Sequence, residues 1–266
     1  MTKRDAKARG SFYPYKCADI NKMIQAFNSD LDNRIRDKTI LSWKPRAIIV
    51  PHAGYVYSGF TANFAYRLLA NSGARRVIVI GPSHRVAFKG ISVGEQDFYE
   101  SPCGDLEIDQ IYIQEMKKHF ILGSEKNAHK LEHSTETQMP FIKHYLPKAR
   151  VVELIYGDVD YRDLAMLCYE LLKDKSNVVV ISTDLSHFYS QDKAEELDKI
   201  CMNAILNRDA SNMDRGCEAC GKIGVKAILE VAKKSNLNIE LLDYTTSASY
   251  NNDTKSVVGY VSAVIG

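Results

Sequence analysis

Ala47-Ile48-Ile49-Val50-Pro51-His52-Ala53-Gly54-Tyr55 is an unbroken apolar run that stops abruptly at a proline and a histidine. Such a run, closed by residues that suit a tight turn, reads as a strand covered on both faces. The arrangement repeats. Val77-Ile78-Val79-Ile80 runs into Gly81-Pro82-Ser83-His84, and Val178-Val179-Val180-Ile181-Ser182 runs into Thr183-Asp184-Leu185-Ser186-His187. Three of the seven histidines therefore stand just past a buried strand.

Further short apolar runs cover residues 91–93, 151–155, 239–242 and 257–265. Between the runs, apolar residues recur at three- and four-residue spacing over 18–31, 60–69, 109–120, 161–172, 192–206 and 217–232, which predicts helices. Asp192 is the expected N-cap of the fifth. Strands alternating with helices predict an α/β protein, a single-domain three-layer sandwich with a mostly parallel or mixed central sheet. No repeat, low-complexity tract or linker divides residues 1–266, so one domain is expected. The run over 257–265 ends the chain inside the sheet, so removing about ten C-terminal residues should unfold the protein.

Composition narrows the function classes. With 45% hydrophobic and 26% charged residues, the chain has an ordinary globular balance. A net charge of +2 gives no reason to expect nucleic acid or an anionic membrane as partner. No apolar stretch reaches membrane-spanning length, and the basic start lacks a signal-peptide core, so a cytoplasmic protein is expected. Six cysteines do not make a disulfide scaffold, and reduced thiols are the expectation. No phosphate-binding loop, dinucleotide fingerprint or nucleophile elbow is present, which disfavours nucleotide-driven and serine-hydrolase chemistry.

Ligands of open α/β sheets sit at the carboxyl ends of the strands. Neutral imidazole is the commonest metal ligand, so His52, His84 and His187 suggest a shared site for a divalent ion. One histidine after a strand is ordinarily structural; three in the same position are harder to dismiss. Glu132-His133-Ser134-Thr135-Glu136-Thr137-Gln138 forms a fourth polar cluster. Either Ser134 caps the following helix, or His133 enters the same cleft as acid, base or ligand. Tyr55, Tyr57, Phe188 and Tyr189 are either a pocket wall or packing around loop ends. Cys217-Glu218-Ala219-Cys220 is either a redox pair or the start of a helix near the site with reduced cysteines.

The motifs Arg9–Pro14, Pro51–Gly59, Gly81–His84, Glu132–Phe141 and Ser182–Phe188 together resemble the Memo family, in order and across nearly the whole chain. That resemblance implies a fold related to class III extradiol ring-cleavage dioxygenases, which hold Fe(II) with two histidines and a carboxylate. It implies His52 and His84 as metal ligands and His133 and His187 as acid–base groups on the substrate side. For the third ligand it points to Tyr250, with Asp253 as the alternative. Fe(II) is the implied ion, with copper or zinc as alternatives. The resemblance also implies radical S-adenosylmethionine and AMMECR-type protein partners. Two functions remain open: an iron enzyme acting on a small molecule with O2, or a non-catalytic protein that binds a metal, peptide or anion. A thiol redox protein using Cys217 and Cys220 is a third.

Overall fold

Valine and isoleucine dominate the strands at the middle of the sheet, and their burial on both faces sets the architecture. The computed structural model describes residues Met1–Gly266. The strands are β1 (Lys3–Arg4), β2 (Ala47–Val50), β3 (Arg76–Pro82), β4 (Ile91–Val93), β5 (Phe98–Tyr99), β6 (Leu106–Glu107), β7 (Leu122–Gly123), β8 (Arg150–Tyr156), β9 (Asn177–Ser182), β10 (His187–Tyr189), β11 (Ile239–Thr246) and β12 (Val257–Ile265). The helices are α1 (Cys17–Arg34), α2 (Tyr55–Leu69), α3 (Gln110–His119), α4 (Lys126–Lys130), α5 (Met139–Tyr145), α6 (Tyr161–Leu171), α7 (Gln191–Leu206), α8 (Lys222–Lys234) and α9 (Ala248–Asn251).

Nine strands form one mixed sheet in the order β10-β12-β2-β9-β3-β8-β4-β7, with β11 paired to β12. At its centre β2, β9, β3 and β8 run parallel, in register from Ala47 opposite Val179 and from Val77 opposite Val178 and Val151. Ala47–Val50 and Val77–Ile80 have no solvent exposure. The parallel arrangement brings the ends of β2, β3 and β9 to one edge, which puts His52 and His84 side by side. Helix α2 packs on β2, β11 and β12 with α1 and α5 behind it, and α8 packs on β3 and β9 with α6 beside it. The result is the expected three-layer α/β sandwich. No helix is long and apolar enough to cross a membrane.

The last strand is interior, as the apolar run 257–265 suggests. β12 pairs with β11 along most of its length and with β2 at Ala263–Ile265.

Three expectations need correction. Helix α8 starts at Lys222, not at residue 217, because the preceding turn is held by long-range contacts instead of helical ones. Helix α7 opens one residue earlier than predicted, with Ser190 in the cap position, so Asp192 lies inside the first turn. The thiols are not all reduced: Cys17 is joined to Cys103 and Cys201 to Cys217. Both pairs are tertiary neighbours, 86 and 16 residues apart in sequence, which spacing alone does not reveal. Cys168 and Cys220 are free.

Candidate metal centre

His52 leaves the end of β2 almost fully buried. Its backbone N–H donates to Asp184 Oδ1 at 2.8 Å, which ties it to the turn after β9. Its ring Nδ1 lies 2.9 Å from Ser182 Oγ. That hydroxyl already donates its only proton to the Ser134 carbonyl at 2.6 Å, and it accepts from Gln138 Nε2 at 3.0 Å. It must therefore accept from His52 Nδ1–H. The tautomer follows: Nε2 of His52 carries a bare lone pair.

His84 reaches the same state by another route. Glu132, with no solvent exposure, takes the His84 backbone N–H at 2.6 Å on Oε2 and faces His84 Nδ1 at 2.8 Å with Oε1. Oε1 also accepts the backbone N–H groups of His133 and Ser134, at 3.0 and 2.9 Å. Burial opposes ionisation of Glu132, but His84 and these backbone donors outweigh it and lower its pKa to about 2. An ionised carboxylate only accepts, so His84 Nδ1 is the donor and, in the neutral ring that a metal requires, Nε2 carries the lone pair. A carboxylate behind a ligating imidazole is the usual support that fixes its ring and tautomer.

Cys220 supplies a third donor. Its Sγ lies 3.3 Å from His52 Nε2 and accepts the Asp184 backbone N–H at 3.2 Å. Tetrahedral bonds of ~2.1 Å to nitrogen and ~2.3 Å to sulfur set an N···S spacing of about 3.6 Å, close to this separation. One donor atom each from His52, His84 and Cys220 lies within 4.8 Å of the others. Burial first, and the Asp184 carboxylate second, push the Cys220 thiol up to about 12, so it keeps its proton until a cation replaces it. Gly221 makes this possible. A Cβ there would stand 2.5 Å from Thr183 Cβ and 2.6 Å from the Ser182 carbonyl, so only glycine lets the Cys220 turn press against the end of β9.

A second donor group, His84, Glu132 and His133, overlaps the first. Its carboxylate is already committed to four donors, so Glu132 supports the site and is not a ligand.

His133 stands beside the pair. Its ring centroid lies 5.3 Å from His52 and 4.7 Å from His84, and Phe12 covers it at 4.6 Å. Burial holds the imidazoles of His52 and His133 below the ordinary histidine range, so both are neutral at pH 7. His187 lies on β10, half-buried, near enough for its charge to bear on His52 and Asp184. Phe188, next to it, has φ 65° and is 76% exposed.

Tyr250, the third ligand that the resemblance points to, stands on another element. It sits on α9, 59% exposed, with its ring 5.1 Å from Tyr57. Asp253 is exposed, and its carboxylate accepts the Lys255 backbone N–H. Position counted along the sequence led to α9, whereas the chain delivers Cys220 from the turn before α8. That turn also removes the alternative of a Cys217–Cys220 redox pair, since Cys217 is bonded to Cys201 and Cys220 faces His52. Ser134 does not cap a helix; its hydroxyl donates to the Pro82 carbonyl at 2.9 Å. Of the four aromatics near the histidines, Tyr55 belongs to the core, stacked on Phe141 at 4.5 Å.

One other arrangement has the look of a catalytic triad. Ser92 Oγ lies 2.9 Å from His129 Nε2, and His129 Nδ1 lies 2.7 Å from Glu153 Oε2, the order of a nucleophile–base–acid triad. All three side chains are buried, and the hydroxyl also accepts the Glu125 backbone N–H. The three side chains are closed to solvent and serve the interior hydrogen-bond network.

The protein is a three-layer α/β sandwich that gathers three imidazoles and one thiol at the carboxyl edge of its parallel strands. The family described as Memo-like protein matches residues 4–264, and the chain belongs to the Memo family. It is 30% identical to a MEMO1 family protein of Aquifex aeolicus over 99% of both chains. It is 31% identical to one of Thermoplasma volcanium, over 99% of this chain and 98% of the other, and 29% identical to one of Methanococcus maripaludis, over 99% of both.

Proposed function

We propose that this chain binds one transition-metal ion through His52 Nε2, His84 Nε2 and Cys220 Sγ and presents it to a small ligand at the edge of the sheet. The observation that carries this reading is the double tautomer lock. Ser182 and Glu132 each occupy an Nδ1, which leaves both Nε2 lone pairs for an ion in a cluster completed by the partly buried Cys220 thiol. The donor chemistry suits a thiophilic ion. Two imidazoles and a thiolate favour copper or zinc over Fe(II), whose oxygenase sites use a carboxylate. When bound, the ion supplies Lewis acidity and, if copper or iron, electron transfer.

The chain's own groups do the rest. His133, neutral and 18% exposed at its side chain, can take a proton from a ligand that enters beside His84. His187 offers a second proton-transfer group from the β10 side. Phe12 shields His133 from water on one face.

Metal analysis of protein purified from copper-, zinc- and iron-supplemented cultures tests the reading. One ion per chain in the parent, and none in His52→Ala, His84→Ala or Cys220→Ala, is the expected result. Retention of the ion by all three variants would refute it. Ring cleavage is the weaker reading, because no carboxylate completes the donor set. Oxygen uptake by the iron-loaded protein with catechol would reinstate it.

A further inference from the structure

Glu132 orients His84, but each of its four carboxylate bonds stays within residues 84 and 133–134. Something must fix Glu132 itself. Its backbone carbonyl accepts from Arg4 Nη2 at 2.7 Å. Arg4 comes from β1 in the small three-stranded sheet, 128 residues away in sequence. The other arm, Nη1, donates to Glu136 Oε2 at 2.6 Å. Glu136 in turn accepts the backbone N–H groups of Lys7 and Ala8 and the Tyr13 hydroxyl, at 3.0, 2.6 and 2.8 Å. One planar fork thus spans the two ends of the Glu132–Glu136 turn, the turn that carries His133.

The Arg4 and Glu136 side chains are 2% and 1% exposed. Burying such a pair costs several kcal/mol of desolvation, and apolar residues of similar volume commonly serve stability as well. The fork does give geometry: two donors held at fixed spacing, which an ammonium group does not offer.

We propose that Arg4 is a positioning residue for the metal centre, holding the Glu132 main chain so that the Glu132 carboxylate keeps His84 in its Nδ1–H tautomer and aimed at Cys220. This rests on the metal-binding reading above. It makes the N-terminal strand part of the site, although Arg4 touches no ligand.

Arg4→Lys separates positioning from stability. Lysine keeps the charge opposite Glu136 but has no second rigid arm for the Glu132 carbonyl. Three measurements compare it with the parent: apparent melting temperature, zinc affinity by chelator competition, and the imidazole 15N shifts of His84 in the metal-free protein. Expected are a melting temperature close to the parent's, a zinc affinity lower by about tenfold, the low end of the effect of outer partners, and a His84 ring that populates both tautomers. In a Glu132→Gln background the same change should cost less than twofold in affinity, because its route is already cut. A variant with lower melting temperature but parental zinc affinity and a parental His84 tautomer would make Arg4 merely structural and overturn the proposal. Should Arg4→Lys not fold, Arg4→Gln, which keeps a planar donor, replaces it under the same criteria. If the parent binds neither zinc nor copper, the metal reading fails, while the His84 shifts still decide whether Arg4 positions that ring.

Discussion

Replacing Glu132 by glutamine removes one charge and puts a donor where an acceptor stood. Oε1 takes three donors and Oε2 takes one, the His84 backbone N–H at 2.6 Å. The amide does least damage with its oxygen at Oε1, which leaves its NH2 group facing that N–H, donor against donor. The magnitude follows from the carboxyl group itself. Its pKa falls from 4.5 to about 2 even though burial acts to raise it. A hydrogen bond to a charged group contributes roughly 1.5–3 kcal/mol, and a buried donor left unpaired costs ~1–3 kcal/mol. Glutamine takes the charge from these bonds and leaves the His84 backbone N–H unpaired, so Glu132→Gln should cost about 3 kcal/mol of unfolding free energy at pH 7, read from urea melts of the metal-free protein. The freed His84 ring should also lower metal affinity by about 10- to 100-fold in chelator competition. Stability within about 0.5 kcal/mol of the parent, together with unchanged affinity, would refute the role assigned to this carboxylate.

Other outcomes follow from the same structure. Gly221→Ala forces a Cβ against Thr183 and the Ser182 carbonyl, at a cost of about 1–3 kcal/mol, and should displace Cys220 enough to weaken zinc binding; parental affinity would show that the close approach is not needed. Truncation after Ser256 removes β12, so far-UV circular dichroism should show loss of the fold, and a folded truncated protein would contradict the topology. Burial opposes ionisation of Glu153, but the His129 charge and further hydrogen bonds outweigh it and hold its carboxyl below the usual range. A depressed carboxylate adds stability that is fully present above about pH 4.5 and is lost as pH falls through the lower folded value. Glu153→Gln should therefore reduce stability at neutral pH and flatten the acid limb of the stability curve; superimposable curves would remove this pair from the acid response.

The parts of the molecule that were legible share one property: the signal lies within a few consecutive residues. Val and Ile runs define β2, β3, β9 and β12 because burial on both faces demands them. His52 and His84 stand at strand ends because parallel strands deliver their carboxyl ends to one edge. Cys220 escaped because its meaning is tertiary. It is 168 residues from His52 and reaches it only when the chain has crossed from β9 through α7. The local pattern around it imitates a helix start, and the Cys201–Cys217 bond that shapes the turn joins two elements whose approach no spacing encodes. Tyr250 was favoured by position along the chain, a measure blind to which loop folds toward the histidines. Glu132 gave a faint signal, a carboxylate directly before a histidine. Arg4 gave none, because Glu132 and Glu136 lie more than a hundred residues away from it.

X-ray absorption on the zinc-loaded protein tests the centre most directly. The three-donor site predicts one sulfur at ~2.3 Å and nitrogen ligands at ~2.0–2.1 Å. The sulfur shell should vanish in Cys220→Ser and survive in Tyr250→Phe. A spectrum with nitrogen and oxygen alone, or a sulfur shell that outlasts the loss of Cys220, would contradict the assignment.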